Sequence, residues 1–405
     1  MLWTTDRATT VTTPTAPATT PGELIRLSPV EIAAGVPLGE IPWNGPTSTA
    51  GAGEPRARAV LESVVGSALR QGPTVVSFSG GRDSSAVLAV ATHVARRDGL
   101  PLPVPVTLSF PGLEGADESE WQRLVLEHLR LPGRRVVRVH AQERLLGDLA
   151  RASLGRHGLV WPANAHADVL RESLDRGTQL LTGEGGDEVL GTRRLTPWTV
   201  ARAARRPRNV QHLRELWGTV AGPALPLGRL AGRNPWIDVV PWARGEARQA
   251  LRADLARQAR SPWRYDRATA HLMRRRVPAV LAHNLQVLAA ERDLRLHHPL
   301  QHPDFVTALA QDGGSWGFRG RTDTMRFLFA DLLPDALLAR RSKASFNGSR
   351  FGEDERDFVT GWDGTGIDDR LVDIDTLRRN WLSARPAGVT GPLLHQAWLA
   401  QAGAR

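Results

Sequence analysis

A short apolar strand that runs directly into a glycine-rich loop and a helix constrains the fold of this chain more than any other feature. The run Thr74-Val-Val-Ser-Phe78 predicts a buried strand, and residues 79–85 are Ser-Gly-Gly-Arg-Asp-Ser-Ser. An amphipathic helix is predicted from this loop through Arg96. Glycines at such a turn let the backbone approach a phosphate group, and the helix N-terminus supplies N–H donors. The sequence therefore predicts a phosphate-binding unit within an α/β domain.

Further strands alternate with helices after this loop. Strands are predicted at 104–110, 135–139 and 179–181, and helices over 118–129, 142–154 and 166–176. Alternation at this spacing predicts a doubly wound parallel sheet with right-handed crossovers. Residues 195–360 have apolar positions at helical spacing and no comparable alternation, which predicts a helical C-terminal region.

A second glycine-rich loop, Thr182-Gly-Glu-Gly-Gly-Asp-Glu188, follows the fourth predicted strand. Because ligands of parallel sheets bind beyond the carboxyl ends of the strands, we expect Asp83 and Asp187 to converge on one Mg²⁺. Glu184 and Glu188 add further carboxylates, and either could act as a general base on an incoming amine. The alternative interpretation is a solvated acidic turn.

A third candidate element is Arg340-Arg-Ser-Lys-Ala-Ser-Phe346, which contains Lys343, the single lysine among 52 basic residues. Arginine cannot replace lysine where a compact ammonium is required. Lys343 could stabilise charge that develops on pyrophosphate or on a tetrahedral intermediate. Arg340 and Arg341 suit phosphate clamping. The alternative interpretation is a basic surface loop.

Together these motifs resemble the synthetase domain of the asparagine synthetase family, over roughly residues 57–402. That family has an SGGxDSS loop, a GEGSDE-like loop and a lysine in an RxxK-containing loop before a phenylalanine. Its RVPFLD-like stretch corresponds to residues 297–302, where the usual acidic residue is replaced. The resemblance implies a PP-loop ATP-pyrophosphatase fold, with ATP and Mg²⁺ as cofactors. It also implies adenylation of a carboxylate with release of pyrophosphate, then attack by a nitrogen nucleophile to give an amide and AMP.

The resemblance assigns roles to particular residues. It implies that Asp83 and Asp187 hold Mg²⁺ and that Lys343 and Arg341 act in catalysis. Glu184 occupies a position where asparagine synthetases have a glutamate and β-lactam synthetases have a catalytic tyrosine. The residues implied to contact the nucleotide are Ser79, Gly80, Gly81, Asp83, Ser84, Ser85, Gly183 and Gly185.

The predicted organisation has three parts. Residues 1–56 are expected to form a disordered tail and linker, 57–194 the ATP-pyrophosphatase core, and 195–405 a mainly helical substrate region. The absence of cysteine excludes disulfide frameworks and thiol nucleophiles. No apolar run reaches 18 residues, which excludes a membrane span. With no secretory leader, we expect a cytoplasmic protein.

The nitrogen nucleophile is the open question. Glutamine-dependent family members use an N-terminal cysteine, and this chain has none, so we expect the amine from the substrate, free ammonia or a partner protein. Several segments resemble lasso-peptide cyclases, which join an Asp or Glu side chain to the N-terminal amine of a precursor core peptide. These segments are 234–238, 296–305, 342–346 and 393–399. The resemblance implies a peptide substrate and leader-peptide-processing partner proteins.

Charge distribution leaves other interpretations open. Residues 201–300 carry 19 arginines against 7 acidic residues, a net of +12. With Trp217, Trp236, Trp242 and Trp263, these arginines could line a peptide groove, or the tryptophans could be core residues. Alternatives are a small-molecule lactam or amide synthetase, an RNA-modifying enzyme of the same superfamily, or a non-catalytic ATP-binding scaffold. The absence of cysteine and of an RNA-binding module disfavours nucleic acid. His297, His298 and His302 lack zinc-like spacing, and we interpret them as packing or substrate contacts.

Overall fold

The structure of the chain is a computed structural model. It describes residues 22–42, 56–111, 113, 117–191, 240–259, 262, 264–340, 342 and 350–403. Within these ranges the strands are β1 (Thr74–Ser77), β2 (Val104–Ser109), β3 (Arg135–Arg138), β4 (Gln179–Leu181) and β5 (Arg295–His297). The N-terminal helices are α1 (Pro29–Ala34), α2 (Arg56–Leu69), α3 (Arg82–Arg97), α4 (Ser119–His128), α5 (Asp148–His157), α6 (Val169–Glu172) and α7 (Gly186–Val189).

The helices after residue 240 are α8 (Gly245–Ala259), α9 (Tyr265–Leu272), α10 (Arg276–Ala290), α11 (Pro303–Gly313), α12 (Arg321–Phe329), α13 (Asp335–Leu338), α14 (Glu353–Gly361), α15 (Ile374–Trp381) and α16 (Gly391–Gly403). Short 3-10 helices occupy Ala141–Glu143, Ala163–Ala167, Pro299–Gln301 and Gly388–Thr390. None of the helices in the described ranges is both long and apolar enough to cross a membrane.

The five strands form one parallel sheet in the order β3-β2-β1-β4-β5. The chain builds outward from β1 through β2 and β3, then returns to the other side of β1 with β4. The strand order therefore reverses between β1 and β4, which is where ligands bind in open α/β sheets. This all-parallel architecture confirms the prediction of an α/β fold with a parallel sheet.

The main hydrophobic core joins the N-terminal strands to the C-terminal helices. Val76 and Phe78 of the central strand region share one buried cluster with Phe305 of α11 and Phe329 of α12. Helix α3 contributes an unbroken buried run from Ala86 to Ala91, because its small apolar residues lie between neighbouring elements. The helices after residue 300 are thus part of the packing that supports the first glycine-rich loop.

The fifth strand lies in the region that the sequence predicts to be mainly helical. Its three residues pair with β4, with Leu296 opposite Leu180 and His297 opposite Leu181. Three residues are too few to show the two-residue alternation of a strand in the sequence. This segment forms a strand because the backbone of β4 offers it hydrogen-bond partners. The sequence analysis did not predict this strand; the other elements described between residues 240 and 360 are helices.

Residues 22–42 also differ from the expected tail and linker. Ser28 and Glu31 form a capping box that begins helix α1, and Ala33 and Ala34 are buried. The indole of Trp242 donates to the Ala33 carbonyl at 3.1 Å. The capping-box spacing was present in the sequence, but a six-residue helix depends on such tertiary contacts to form.

Trp242 belongs to a second hydrophobic cluster rather than to a peptide groove. Its side chain is fully buried, in the same cluster as Trp362 and Trp381. The groove interpretation is therefore wrong for Trp242, because a buried indole offers no surface to a substrate. Trp217, Trp236 and Trp263 lie outside the described residues.

Candidate functional site

The first glycine-rich loop connects β1 to α3 at the switch point of the sheet. Gly80 has a φ of 87°, a left-handed conformation that side chains other than glycine rarely adopt. The Ser84 hydroxyl accepts from the Ser79 N–H at 3.2 Å and donates to the Gly81 carbonyl at 3.2 Å. Gln122 of α4 donates to the Ser79 carbonyl at 3.0 Å. The shape of the loop is therefore set by bonds within the protein.

The two serines at the end of this loop are placed differently. Ser84 lies within the turn, whereas the Ser85 side chain is fully buried. Within the described ranges the Ser85 hydroxyl has no hydrogen-bond partner, while its backbone N–H donates to the Gly81 carbonyl at 3.0 Å. This burial does not favour the predicted contact between the Ser85 hydroxyl and a phosphate.

The second glycine-rich loop packs directly against the first because two of its residues have no side chain. A Cβ at Gly183 would lie 2.6 Å from the Ser84 nitrogen, and one at Gly186 would lie 2.3 Å from the Asp83 Cγ. Both distances are too short for any other residue to fit without displacement. Gly185 lies against Gln301, in the segment after β5. The two loops form one continuous surface at the edge of the sheet.

Asp83 and Asp187 meet at a single guanidinium group, that of Arg321 at the start of α12. Both Asp83 oxygens accept from Nη2 of Arg321 at 2.5 Å, and Asp187 Oδ1 accepts from Nη1. All three side chains are largely buried. The predicted convergence of the two aspartates is present, with Arg321 as the cation between them.

The site thus places two glycine-rich loops at a switch point, with two aspartates converging on one cation. The sequence matches the asparagine synthase family over residues 56–384, most of the chain. The chain belongs to the asparagine synthase family. This family supports an ATP-dependent ligase that forms carbon–nitrogen bonds, and the predicted family resemblance is confirmed. A search of curated proteins finds no match.

In this asparagine synthase site, three guanidinium groups lie close enough to the paired aspartates to influence one another. Burial lowers the pKa of Arg82, and the guanidinium groups of Arg321 and Arg340 lower it further, against the two aspartates. Burial also raises the pKa of Asp83, although Arg321 opposes that shift. Guanidinium groups that repel one another at the edge of a sheet suit a polyanionic ligand.

Arg340 has a different environment from the phosphate clamp that the sequence predicts. Its guanidinium forms a bidentate ion pair with the buried carboxylate of Glu118, and it donates to the Gly80 carbonyl at 3.2 Å. The same group lies 4.6 Å from the centre of the Trp121 ring. Arg340 therefore supports the first loop from beneath, because its donors are directed at protein groups.

The remaining predicted catalytic residues fall into two groups. Glu184 is exposed at the second loop, where its backbone N–H donates to Thr182 Oγ1 at 3.3 Å, and Glu188 is exposed in α7. Arg341 and Lys343 lie outside the described residues. Ser342, between them, accepts from Nε of Arg340 at 3.0 Å. The roles of Arg341 and Lys343 stay predictions.

Two histidines at the end of β5 contact the second loop and the fourth strand. His298 Nδ1 lies 2.7 Å from Thr182 Oγ1, and burial lowers the pKa of His298 to about 4. His297 Nε2 lies 2.9 Å from the Gln179 amide oxygen. No group of three or more His, Cys, Asp or Glu side chains suited to a metal occurs in the part of the chain that the structure describes.

Sequence reasoning missed Arg321 and Glu118 as parts of this site. Arg321 is one of many arginines, and nothing in its local sequence distinguishes it from the others. The sequence analysis expects Mg²⁺ between Asp83 and Asp187, and no local pattern indicates that a guanidinium lies there. Glu118 is likewise one of many acidic residues, and nothing in its local sequence indicates that it pairs with Arg340.

Proposed function

We propose that this protein adenylates a carboxylate with ATP and joins it to an amine, releasing pyrophosphate and AMP. The observation that carries the proposal is the convergence of Asp83 and Asp187 from two glycine-rich loops at the switch point of the sheet. Family membership supports an ATP-dependent carbon–nitrogen ligase, and Arg82 and Arg321 beside the first loop are groups that suit a triphosphate.

The reaction balances in two steps. A carboxylate oxygen attacks the α-phosphorus of ATP, and the bond to the bridging oxygen breaks to release pyrophosphate. The amine then attacks the acyl carbon, loses its proton to a base, and AMP leaves. Exposed Glu184 is the proposed base, and Lys343 is proposed to stabilise the negative charge of the transition state.

Magnesium fits the residues present. Two carboxylates already converge on one cation, and Mg²⁺ is typically bound by one or two carboxylates together with substrate phosphates. Asp83 and Asp187 would hold the ion, which would neutralise charge between the carboxylates and the triphosphate. The first loop would bind phosphates through Ser79, Gly80, Gly81 and Ser84, and the second would approach them through Gly183 and Gly185.

We propose a precursor core peptide as the substrate, whose own N-terminal amine closes a macrolactam. The absence of cysteine from the 405 residues removes the thiol nucleophile by which glutamine-dependent relatives obtain ammonia. One of the segments that resemble lasso-peptide cyclases, residues 296–305, lies against the second loop through His298 and Gln301. This placement supports a role for that segment in substrate recognition, with leader-processing proteins as partners in the cytoplasm.

The basic segment, residues 201–300, supports an RNA substrate less than its net charge suggests. In its described part, many arginines contact carboxylates of this chain and so are less available to phosphates. The ion pairs are Arg244–Asp373, Arg257–Asp254, Arg264–Asp266, Arg276–Glu31 and Arg292–Glu172.

The decisive experiment is ATP–pyrophosphate exchange across a panel of leader-free core peptides and small amino acids. We expect exchange with a peptide that contains an acidic residue, AMP as the nucleotide product, and a peptide product lighter by one water. Stimulation by small carboxylates alone would favour the small-molecule synthetase. Formation of ADP in place of AMP would reject the adenylation mechanism, and Asp83→Asn serves as the inactive control.

A further inference from the structure

Arg321 occupies an unusual position for a positively charged residue. It is the first residue of helix α12, where the helix dipole disfavours a cation. Its side chain is 18% exposed, and its Nε has no hydrogen-bond partner in the described part of the chain. What holds the guanidinium there is its contact with Asp83 and Asp187, which come from two other elements.

The contacts of Arg321 use the oxygens that a metal ion would need. Both oxygens of Asp83 and Oδ1 of Asp187 accept from its terminal nitrogens. A divalent cation bound by both carboxylates would share these oxygens with the guanidinium and would bring two like charges together. Either the metal or Arg321 can occupy the space between the aspartates.

We propose that Arg321 is an internal counter-ion that holds Asp83 and Asp187 together before nucleotide binds and that keeps free divalent cations out. This proposal rests on the proposed function, in which those aspartates receive a metal–triphosphate complex. When that complex arrives, its phosphate oxygens offer the guanidinium a replacement for the carboxylates. The metal therefore enters with the nucleotide, and Arg321 moves from the aspartates to the triphosphate.

This arrangement solves a problem that two close, buried carboxylates create. Without a cation, the two negatively charged groups would repel each other and move apart. A permanent guanidinium holds both carboxylates in position without depending on the free magnesium concentration.

The test uses Mn²⁺ as the probe, on the full-length protein without nucleotide, with free Mn²⁺ measured by electron paramagnetic resonance. We expect weak binding to the wild type. Removal of the competing cation in Arg321→Gln should tighten Mn²⁺ binding by about tenfold or more, because the two aspartates no longer have to be released from the guanidinium before the metal binds. Mn²⁺ should also raise the melting temperature of Arg321→Gln and leave that of the wild type unchanged.

Two further variants keep the test decisive. Arg321→Lys retains the positive charge, so it should exclude Mn²⁺ as the wild type does, even if Arg321→Gln fails to fold. Arg326→Gln is the matched control on the same helix, because Arg326 pairs with exposed Asp335 away from the loops, and it should bind Mn²⁺ as the wild type does. Tight Mn²⁺ binding by the nucleotide-free wild type, or equal binding by wild type and Arg321→Gln, would overturn the proposal.

A nucleotide arm separates this proposal from the proposed function. Addition of a non-hydrolysable ATP analogue should convert the wild type to tight Mn²⁺ binding, and Arg321→Gln should bind the analogue more weakly, since it lacks the guanidinium. If the wild type shows no ATP–pyrophosphate exchange but excludes Mn²⁺ through Arg321, the proposed function fails and the counter-ion role stands. If exchange occurs but the wild type and Arg321→Gln bind Mn²⁺ alike, the proposed function stands and the counter-ion role fails.

Discussion

The guanidinium of Arg340 is buried against the carboxylate of Glu118, and the side chains of these two residues are only 5% and 7% exposed. The pair joins residues 222 positions apart and lies beneath the first glycine-rich loop, where Arg340 also donates to the Gly80 carbonyl. The segment that leads to Lys343 is therefore anchored to the loop that is proposed to bind phosphates. The two parts of the site are linked by this buried ion pair.

Replacement of Glu118 by glutamine should destabilise the protein strongly. The Arg340 guanidinium would remain buried without a counter-charge, which costs about 3–5 kcal/mol of the free energy of unfolding. The KM for ATP should rise as well, because the support of Gly80 is weakened. Urea unfolding and pyrophosphate-exchange kinetics measure the two effects separately.

A double variant distinguishes stability from loop support. Glu118→Leu combined with Arg340→Met removes both charges and should recover much of the stability, but it also removes the donor to Gly80, so the KM for ATP should stay raised. The exposed pair Arg326–Asp335 provides the control, and Asp335→Asn should cost less than about 1 kcal/mol. Recovery of both stability and KM in the double variant would contradict the role of Arg340 in supporting the loop.

Gly186→Ala tests the close packing of the two loops. Its Cβ would lie 2.3 Å from the Asp83 Cγ, so Asp83 must move away from its position beside Arg321. A displacement of this size at a reacting centre should lower the ATP-dependent rate by about a hundredfold. Activity and Mn²⁺ binding in the presence of an ATP analogue are the measurements.

Gly155→Ala is the matched control for this substitution. Gly155 lies within helix α5, and nothing lies within 4 Å of a Cβ built there. The alanine should leave the activity unchanged and stabilise the helix by about 0.5–1 kcal/mol. Full activity of Gly186→Ala would show that the loops can separate without affecting the site.

The parts of this site that the sequence predicted are those that local patterns determine. The strand before Ser79 and the glycines of both loops have composition and spacing that follow from backbone geometry, and parallel strands place their carboxyl ends at one edge. Asp83 and Asp187 were therefore expected to converge, and they do. A pattern within one segment was enough for each loop.

The parts that sequence reasoning missed depend on contacts between distant segments. Strand β5 forms because the edge of β4 is available, and helix α1 is stabilised because Ala33 packs into a buried cluster with residues of later helices. Arg321 lies 238 residues from Asp83, and no local feature indicates the pairing. Arg340 was assigned to phosphate because its local sequence is basic, whereas the buried carboxylate that it contacts lies elsewhere in the chain.

Glu143 should make the stability of the protein depend on pH. Burial raises its pKa to about 7 from 4.5, Arg350 opposes the shift, and Asp168 adds to it. Between these two pKa values, the folded state keeps a proton on Glu143 that the unfolded state releases. The contribution of protonated Glu143 to the free energy of unfolding is therefore fully present below the unfolded pKa and is lost as the pH rises through 7. Glu143→Gln should therefore gain stability relative to the wild type between about pH 5 and pH 8, by up to about 3 kcal/mol.

Urea unfolding of both proteins at each pH measures this difference. Arg350→Met offers a second check, because loss of the guanidinium that opposes the shift should raise the pKa of Glu143 further and extend the loss of stability to higher pH. A stability difference between wild type and Glu143→Gln that is the same at both pH values would show that Glu143 is charged in the folded protein.

Lys343→Arg tests whether the single lysine is required for chemistry. A guanidinium keeps the charge but not the compact shape of the ammonium, so the amide-forming rate should fall by about a hundredfold or more. The urea midpoint should stay unchanged, since one cation replaces another.

The single lysine also allows a direct probe by chemical labelling. Apart from the N-terminus, an amine-reactive reagent can acylate just one side chain, that of Lys343, and ATP should protect it. A fully active Lys343→Arg variant, or labelling of Lys343 at the same rate with and without ATP, would remove Lys343 from the proposed mechanism.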